Sequence, residues 1–481
     1  MIEKREFYIN GEWVSPIAGR DCEVIDPSNE EPCAVISLGG TEDTNAAVAA
    51  AKAAFEEWSQ TDPEVRLGYV KKIRDIYVER AEDMSKAISL EMGAPIEMSR
   101  ASQTTSGTWH IDNFITAFKD FEFLRPLGPH APDNRIALEP IGVAGLITPW
   151  NWPMNQVTLK AIPALLTGCT MVLKPSEIAP LSSIVFAEIV HAAGVPAGVF
   201  NMVNGDGLGV GTDLSTHPDV DMISFTGSAR AGAAISKAAA DTFKRVCLEL
   251  GGKGANVIFA DADEKAVTRG ARHCFNNTGQ SCNAPTRMLV ERSIYDQAIE
   301  MAVKVAESTK VASAHQDGNH IGPVVSAAQY EKIQGYIQKG IDEGARLVAG
   351  GVGRPEGLNR GYFVRPTVFA DVSNDMTIAR EEIFGPVLSI MPFDTEEEAI
   401  AIANDTPYGL TNYVQSQDGA KRNRLSRRLR SGMVEMNGQS RGAGAPFGGT
   451  KSSGRAREGG VWGLEEFLEV KAISGWDPAA E

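Results

Sequence analysis

The chain has 481 residues, 43% hydrophobic and 22% charged, with 62 acidic against 46 basic side chains and a formal net charge of −16. That length exceeds one ordinary core, so two or three domains are expected, and with no basic surplus to neutralise phosphates a nucleic-acid partner is disfavoured. No apolar run reaches membrane-span length; Ile141–Trp150 is short and broken by Gly142, Gly145 and Pro149.

The six cysteines, Cys22, Cys33, Cys169, Cys247, Cys274 and Cys282, show neither a CxxC pair nor zinc-ligand spacing. The first residues, Met1–Glu6, are charged and lead into no signal segment. The thiols therefore read as reduced, in a cytoplasmic protein without disulfides or metal. Phe7–Val14 reads as a hairpin turning at Asn10-Gly11, a strong short-range turn signal. Thr41 is the expected N-cap of an alanine-rich amphipathic helix running to about Trp58. Pro63 opens a second helical region that Gly93 and Pro95 end after Met92. Asp120–Pro140, with Pro126, Pro129 and Pro132, reads alone as a proline-rich connection.

Between Ile141 and Gly251 the pattern becomes α/β. Strands are expected at Val143–Thr148, Thr170–Lys174, Phe200–Val203, Met222–Phe225 and Arg245–Leu250, with helices at Ser182–Ala193 and Ala229–Thr242. Strands alternating with helices indicate a parallel sheet covered on both faces, binding ligands beyond the carboxyl ends of its strands. Lys174, Glu177, Gly227, Ser228 and Glu249 fall at such ends. Asn204–Gly211 is glycine-rich but fits no GxGxxG register. Phe225-Thr226-Gly227-Ser228 follows a strand and opens a helix, where free N–H groups suit an anion; the alternative is a serine that only caps the helix.

After Gly252 a second α/β region follows, with helices at Asp263–Phe275, Tyr295–Ser308, Ala327–Glu343 and Thr395–Asn404. Arg422–Arg430 reads as a basic, solvated helix face, Pro446–Gly454 as a glycine-rich loop and the tail to Ser474 as an edge strand. In this region Asn276–Arg287 reads Asn-Asn-Thr-Gly-Gln-Ser-Cys-Asn-Ala-Pro-Thr-Arg. A free cysteine usually packs among apolar neighbours. Cys282 has none beside it and lies in a polar loop between a helix and a strand, where scaffolded loops carry chemistry. The alternative is an idle loop thiol. Leu248-Glu249-Leu250-Gly251-Gly252-Lys253 sets a carboxylate between leucines, where burial raises its pKa toward the general-base range; the alternative is a solvated strand end. The two stretches together supply a nucleophile and a base. A cysteine hydrolase using His273 is disfavoured, because a histidine nine residues before Cys282 on a helix reads as a surface residue.

Leu-Glu-Leu-Gly-Gly-Lys followed by Gly-Gln-Ser-Cys resembles the two signature stretches of the aldehyde dehydrogenase superfamily. Five separated motifs fall in that family's order, from Asn10-Gly11 to Glu469-Val470-Lys471. The resemblance implies two Rossmann-like parallel-sheet α/β domains plus a small β arm. Residues 1–121 and 141–250 would bind NAD, residues 251–462 would hold the catalytic groups, and residues 122–140 and 463–481 would join a homodimer or homotetramer. The implied reaction oxidises an aldehyde to a carboxylic acid through a thiohemiacetal and a thioester on Cys282, hydrolysed by water that Glu249 activates. Asn151 is implied as oxyanion donor, and Lys160 with Glu469 as a pair moving protons in deacylation.

For the dinucleotide, the resemblance implies Lys174 and Glu177 at the adenine-side ribose, Ser228 near the pyrophosphate, and Glu382 and Phe384 at the nicotinamide ribose and ring. Ile147, Thr148, Pro149 and Trp150 join this set, as do Ser176, Gly207 and Gly211. Phe225, Thr226, Gly227, Leu250 and Gly251 complete it. Glu177 favours NAD, since a carboxylate repels a 2′-phosphate, while Lys174 beside it keeps NADP open. Ser281, Asn283, Gly438–Ala445 and Arg455-Ala456 depart from the family pattern, which leaves the substrate undetermined. Trp109, Trp152, Met154 and Phe275 either line an apolar tunnel or are core residues; Arg441 would instead meet an acidic aldehyde. The rivals are a CoA-acylating relative, against which Glu249 argues, and a non-catalytic relative kept as a binding or structural protein.

Overall fold

The computed structural model describes residues 1–477 and 480. The end of the 463–481 segment, at positions 478, 479 and 481, lies outside the described residues. Phe7–Ile9 (β1) and Glu12–Val14 (β2) form the N-terminal hairpin, with Asn10 and Gly11 at φ 54° and 81° as an Asn-Gly turn requires. Five strands follow: Val143–Ile147 (β3), Thr170–Lys174 (β4), Phe200–Met202 (β5), Met222–Thr226 (β6) and Arg245–Glu249 (β7). The sheet order is β7-β6-β3-β4-β5-β1-β2, with β3 to β7 parallel and the hairpin antiparallel to β5. Every residue of β3, β4, β5 and β6 is buried, because helices cover both faces. The helix Pro153–Thr167, buried at nearly every position, follows β3, and the helix Ala229–Ala239 follows β6. Since β3 and β6 are neighbours in the sheet but distant in the chain, a crevice opens beyond their carboxyl ends.

The second sheet contains Ala255–Ile258 (β8), Arg287–Glu291 (β9), Arg346–Ala349 (β10), Thr367–Ala370 (β11), Val387–Phe393 (β12), Thr411–Gln415 (β13) and Met433–Met436 (β14). Its order is β10-β11-β12-β9-β8-β13-β14, with only β10 antiparallel to its neighbour. The architecture is thus two mixed α/β layers built on parallel strands, with small sheets beside them. One small sheet joins Leu124–Pro126, Asn134–Pro140 and Leu468–Ser474 in antiparallel register, Leu468 opposite Pro140 and Ser474 opposite Asn134. Of the prolines that made this stretch look like a connection, Pro126 ends its strand and Pro129 and Pro132 lie in the turn before Asn134, so none removes a ladder N–H from a strand interior. Another, of Ile2–Lys4, Arg20–Asp26 and Glu31–Leu38, has no counterpart in the sequence reading.

Two helix boundaries differ from expectation. Gly40, not Thr41, is the N-cap of the helix Thr41–Gln60, its N–H donating to Asp43 Oδ2 at 3.0 Å. The region from Pro63 to Met92 breaks into Pro63–Glu79 and Ala81–Met92 at Arg80, whose guanidinium is drawn away to Asp83 and Glu188. Among the described residues no helix is long and apolar enough to cross a membrane, and no three His, Cys, Asp or Glu side chains cluster to hold a metal. All six cysteines are free thiols.

The hairpin Arg20–Leu38 clamps the two α/β regions together. Glu30 accepts from Arg354 (2.9 Å) and from the Gly361 N–H (2.8 Å), the Tyr362 N–H donates to the Pro27 carbonyl (3.0 Å), and Asp26 meets His315 Nε2 at 2.8 Å. The hydrogen bond to Asp26 raises the His315 pKa above 6.5. Its contribution to stability is therefore complete below the unfolded value and is lost as pH rises through the folded one. The gap in Tm between the wild type and His315→Gln should narrow from pH 6 to pH 9 at constant ionic strength, by a small amount because the imidazole is partly exposed. A gap that widens with pH in calorimetry would contradict this assignment.

Candidate active site

A cavity of about 230 Å³ occupies the crevice beyond β3 and β6. Pro149, Trp150 and Asn151 reach it from the end of β3, and Thr226, Gly227 and Ser228 from the end of β6. Leu250 and Gly251, between β7 and β8, form its floor beside Cys282, and Glu382 and Phe384 close it from the second α/β region. Gln156, Gln329 and Lys332 also line it and were missed in the sequence, where each reads as an ordinary polar helix residue.

The paired glycines explain how the two signature stretches meet. A Cβ on Gly252 would strike the Cys282 carbonyl oxygen, and one on Gly251 would strike the Glu382 carboxyl, which itself accepts from the Gly252 N–H at 2.8 Å. Only glycine permits this approach. Glu249, the last residue of β7, is 2% exposed, and neither carboxyl oxygen has a hydrogen-bond partner among the described residues. Burial, and then the Glu458 charge, push its pKa well above the ordinary carboxylate range. Cys282 is half-buried; burial, with Glu382 and Glu249 adding to it, pushes the thiol up to about 12, and Arg441 pulls the other way. Burial thus biases both groups toward their uncharged forms.

Asn151 is fixed from three sides. Its Nδ2 donates to the Gln280 carbonyl (3.0 Å), and its own carbonyl accepts from Gln103 Nε2 (3.1 Å) and Asn277 Nδ2 (3.0 Å). A second Nδ2 hydrogen stays available, and the Cys282 N–H has no acceptor among the described residues. The loop before the thiol is sharply turned: Asn277 and Thr278 both take left-handed φ, 51° and 55°. This brings Ser281 beside Trp152, whose Nε1 donates to the Ser281 hydroxyl at 2.8 Å. Asn277 was the available signal, since asparagine tolerates that conformation better than other non-glycine residues; Thr278, β-branched, gave none.

The residues opposite the thiol fit a dinucleotide. The helix Ala229–Ala239 presents its N-terminus, through Gly227 and Ser228, to the cavity; Ser228 Oγ accepts from the Ala231 N–H (3.2 Å), so it caps the helix at the same place. Both readings of Ser228 are thereby compatible, and the helix pole suits a pyrophosphate. Beyond Ile147, the Thr148 N–H pairs with the Lys174 carbonyl (3.1 Å) at the end of β4. Lys174 Nζ donates to the Pro175 carbonyl (2.9 Å) and lies 3.4 Å from Glu177, while Ser176 Oγ accepts from the Ile178 N–H (3.3 Å). Gly211 packs against the Lys174 side chain, and Gly207 faces open space. Phe225 is buried behind the Gly227 turn. Phe384, at φ 59°, sets its ring edge-on to Trp150 with centroids 5.4 Å apart, held by Gln329 Nε2 on its carbonyl (2.7 Å).

Three expectations need correction. Lys160 does not pair with Glu469: its Nζ donates to Glu458 and to Thr226 Oγ1 (2.7 Å). Glu469 lies opposite Glu139 on the arm strand Leu468–Ser474, its carboxyl 57% exposed, and pairs with Arg245 at 2.9 Å. The glycine-rich 447–458 segment folds back on itself, Phe447 bridging to Glu458, and so carries Glu458 inward while the arm strand turns Glu469 to its exposed side. Met154 and Phe275 do not line this cavity: both are buried in core clusters at 0% and 1% exposure, and Phe275 borders a different cavity beside Arg272 and Asn276. Trp109 and Arg441 instead share a cleft of their own, while Ser281 and Asn283 flank the thiol, the Asn283 carbonyl accepting from Tyr413 Oη at 2.6 Å.

The aldehyde dehydrogenase family model matches residues 13–473. The chain is 50% identical to a 3-succinoylsemialdehyde-pyridine dehydrogenase from a Pseudomonas species, over 99% of this chain and all of that one. It superposes on an aldehyde dehydrogenase from Bartonella henselae with TM-score 0.98 at 64% identity, covering 99% of this chain and 100% of the other. A mutant aldehyde dehydrogenase C from Pseudomonas syringae, in complex with NAD+ and octanal, gives TM-score 0.96 at 47% identity over 98% and 97% of the two chains. The chain belongs to the aldehyde dehydrogenase family.

Glu458→Gln leaves the Lys160 ammonium buried beside a neutral amide and should cost about 3–5 kcal/mol in denaturant unfolding. Glu469→Ala should stay within about 1 kcal/mol of the wild type. Asn277→Ala should cost on the order of 2–3 kcal/mol, because it removes the buried Nδ2 bonds to the Asn151 and Gln280 carbonyls and leaves alanine in a left-handed turn. Equal unfolding midpoints for Glu458→Gln and Glu469→Ala would contradict the assigned pairing.

Proposed function

We propose that this chain oxidises an aldehyde to its carboxylic acid with NAD+, Cys282 carrying the reacting carbon. The supporting observation is one thiol and one anchored amide lining a cavity whose facing wall suits a dinucleotide, with a buried unpartnered carboxyl, Glu249, next to the cavity residue Leu250 and within the thiol's field. Cys282 Sγ, its proton passed through the cavity to solvent water, adds to the carbonyl carbon, and the oxygen that gains charge is met by the free Asn151 Nδ2 hydrogen and the Cys282 N–H. NAD+, when bound, supplies the acceptor for the hydride whose loss leaves a thioester on Cys282. Glu249 then takes a proton from water as that water adds to the acyl carbon, and Sγ leaves as the acid is released. Glu458, held by Lys160, adds negative charge near Glu249 and strengthens it as a base.

In this reading Glu382 and Lys332 hold the nicotinamide end, Glu177 favours NAD+ over NADP+, residues 1–121 with 141–250 carry the cofactor, and residues 251–462 carry the thiol. The six unpaired thiols suit a reducing cytoplasm, and the open edge of the arm strand Leu468–Ser474 suits a homodimer or homotetramer.

Cys282→Ala should abolish NADH formation while NAD+ still quenches tryptophan fluorescence; turnover in that variant would refute the mechanism. Glu249→Gln should slow hydrolysis by roughly 10²–10⁴-fold and let the acylated Cys282 peptide accumulate in mass spectra. Because burial raises the Glu249 pKa, the group is protonated and idle at low pH. The hydrolysis rate of the wild type should climb with pH through a value above the usual carboxylate range, and Glu249→Gln should lose that climb.

A further inference from the structure

The loop that brings Glu458 inward also carries a cation toward the base. Phe447 and Glu458 exchange two main-chain hydrogen bonds of 2.8 Å, and Gly454 bridges to Glu249, so residues 447–458 fold against the end of β7. Gly448 has no room for a side chain. Its Cβ would stand 2.1 Å from the Ala456 carbonyl oxygen, 2.8 Å from Arg457 Nη1 and 2.9 Å from Glu249 Oε1. The space that glycine leaves is therefore shared by the carboxyl of the base and the guanidinium of Arg457, which face each other across it without a direct hydrogen bond.

The bonds of Arg457 fix where its charge sits. Its main-chain N–H donates to the Glu466 carboxyl (2.8 Å), and Nη1 donates to the Gly449 and Ala456 carbonyls (2.7 Å each). Both acceptors of the guanidinium are neutral, and Nε and Nη2 donate to no group among the described residues. Lys160, the other cation beside the base, is taken up by Glu458 and Thr226. The Glu466 carboxyl also accepts from the Cys247 thiol at 2.7 Å, and Cys282 lies within the field of Glu249 from the cavity side. Burial, Glu458 and Glu466 oppose ionisation of Glu249, while Lys160 and Arg457 favour it. Of those two cations, Arg457 has no carboxylate bonded to its charged end among the described residues.

We propose that Arg457 is a positioning residue for the base: its guanidinium, facing Glu249 across the space over Gly448, stabilises the carboxylate form that takes the proton from water. The proposal rests on Glu249 as that base. A guanidinium suits the task because it stays charged at every pH at which a carboxyl titrates, and a charge a short way off through protein is felt more strongly than through bulk water. The test acetylates Cys282 with p-nitrophenyl acetate, removes the reagent, and follows loss of the acetyl group by mass spectrometry from pH 5 to pH 9. Arg457→Gln keeps an N–H2 group for the loop carbonyls, and Arg457→Met is a second neutral variant. In both, the midpoint of the hydrolysis profile should lie above that of the wild type by about half a pH unit or more. Arg457→Lys, which restores the charge, should recover most of that shift.

Equal midpoints in the wild type and the two neutral variants, or the same shift in Arg457→Lys as in those two, would overturn the proposal. Should acetylated Cys282 never form, or lose its acetyl group equally fast in Glu249→Gln, the reading of the mechanism fails instead. The carboxyl stretch in infrared difference spectra, assigned to Glu249 by its absence in Glu249→Gln, then decides on Arg457 alone. A Glu249 titration moved upward in Arg457→Gln and returned in Arg457→Lys upholds the pairing of the two groups; an unmoved titration overturns it.

Discussion

A carboxyl group with both oxygens unbonded and almost no water contact costs on the order of 1–3 kcal/mol, a large share of the roughly 5–15 kcal/mol by which a protein is folded. Glu249 is such a group, and the molecule is arranged so that it cannot withdraw. β7 is paired along its whole length with β6, Arg245 opposite Met222 through Glu249 opposite Thr226. On its other side the backbone is fastened to the loop that carries Glu458, by the Leu250 N–H to Ser453 (3.0 Å) and the Ala456 N–H to Leu248 (3.3 Å). The Glu249 carbonyl is itself engaged by the Gly227 N–H at 3.0 Å. With the main chain held on every side, the side chain has no route to water, and its pKa rises instead.

The electrostatics of the surroundings follow one rule: each permanent charge near the thiol already has a counter-charge. Lys160 faces Glu458 and Arg441 touches Glu435, while the buried Glu382 lies within the field of Lys332. Between them burial pushes the Cys282 thiol and the Glu249 carboxyl toward their uncharged forms. Charge that develops on a bound substrate therefore meets fixed dipoles, the Asn151 amide and the Cys282 N–H, rather than a mobile ionic atmosphere. Such donors do their work without reorganising, because Gln103, Asn277 and Gln280 hold them beforehand.

Much of this was legible in the chain because it violated local expectation. A thiol among amides and hydroxyls, and a carboxylate between leucines before two glycines, are poor choices for packing alone. The α/β alternation and the Asn10-Gly11 turn were readable because period and turn chemistry are short-range properties. The arm sheet was read only through the family resemblance and the alternating tail, since its strands are short, carry prolines at their ends, and Leu468–Ser474 pairs with Asn134–Pro140 across more than half the chain. The helix from Pro63 to Met92 hid its break at Arg80, because what draws Arg80 aside is a glutamate on another helix.

Partner choice is where sequence and structure divide. The family resemblance paired Lys160 with Glu469, but the glycine-rich loop folds Glu458 inward to meet Lys160 while strand register turns Glu469 out. Trp152 and Met154 are two apart at the start of one helix; the first reaches Ser281 and the second is sealed in the core. The chain alone determined the alternation of strands and helices, the reactive stretches and the glycines their meeting needs, all of which depend on a few neighbouring residues. Which acid faces which base, and which side chain sees substrate, was decided only by packing between segments hundreds of residues apart, where directions are set by register and layer contact.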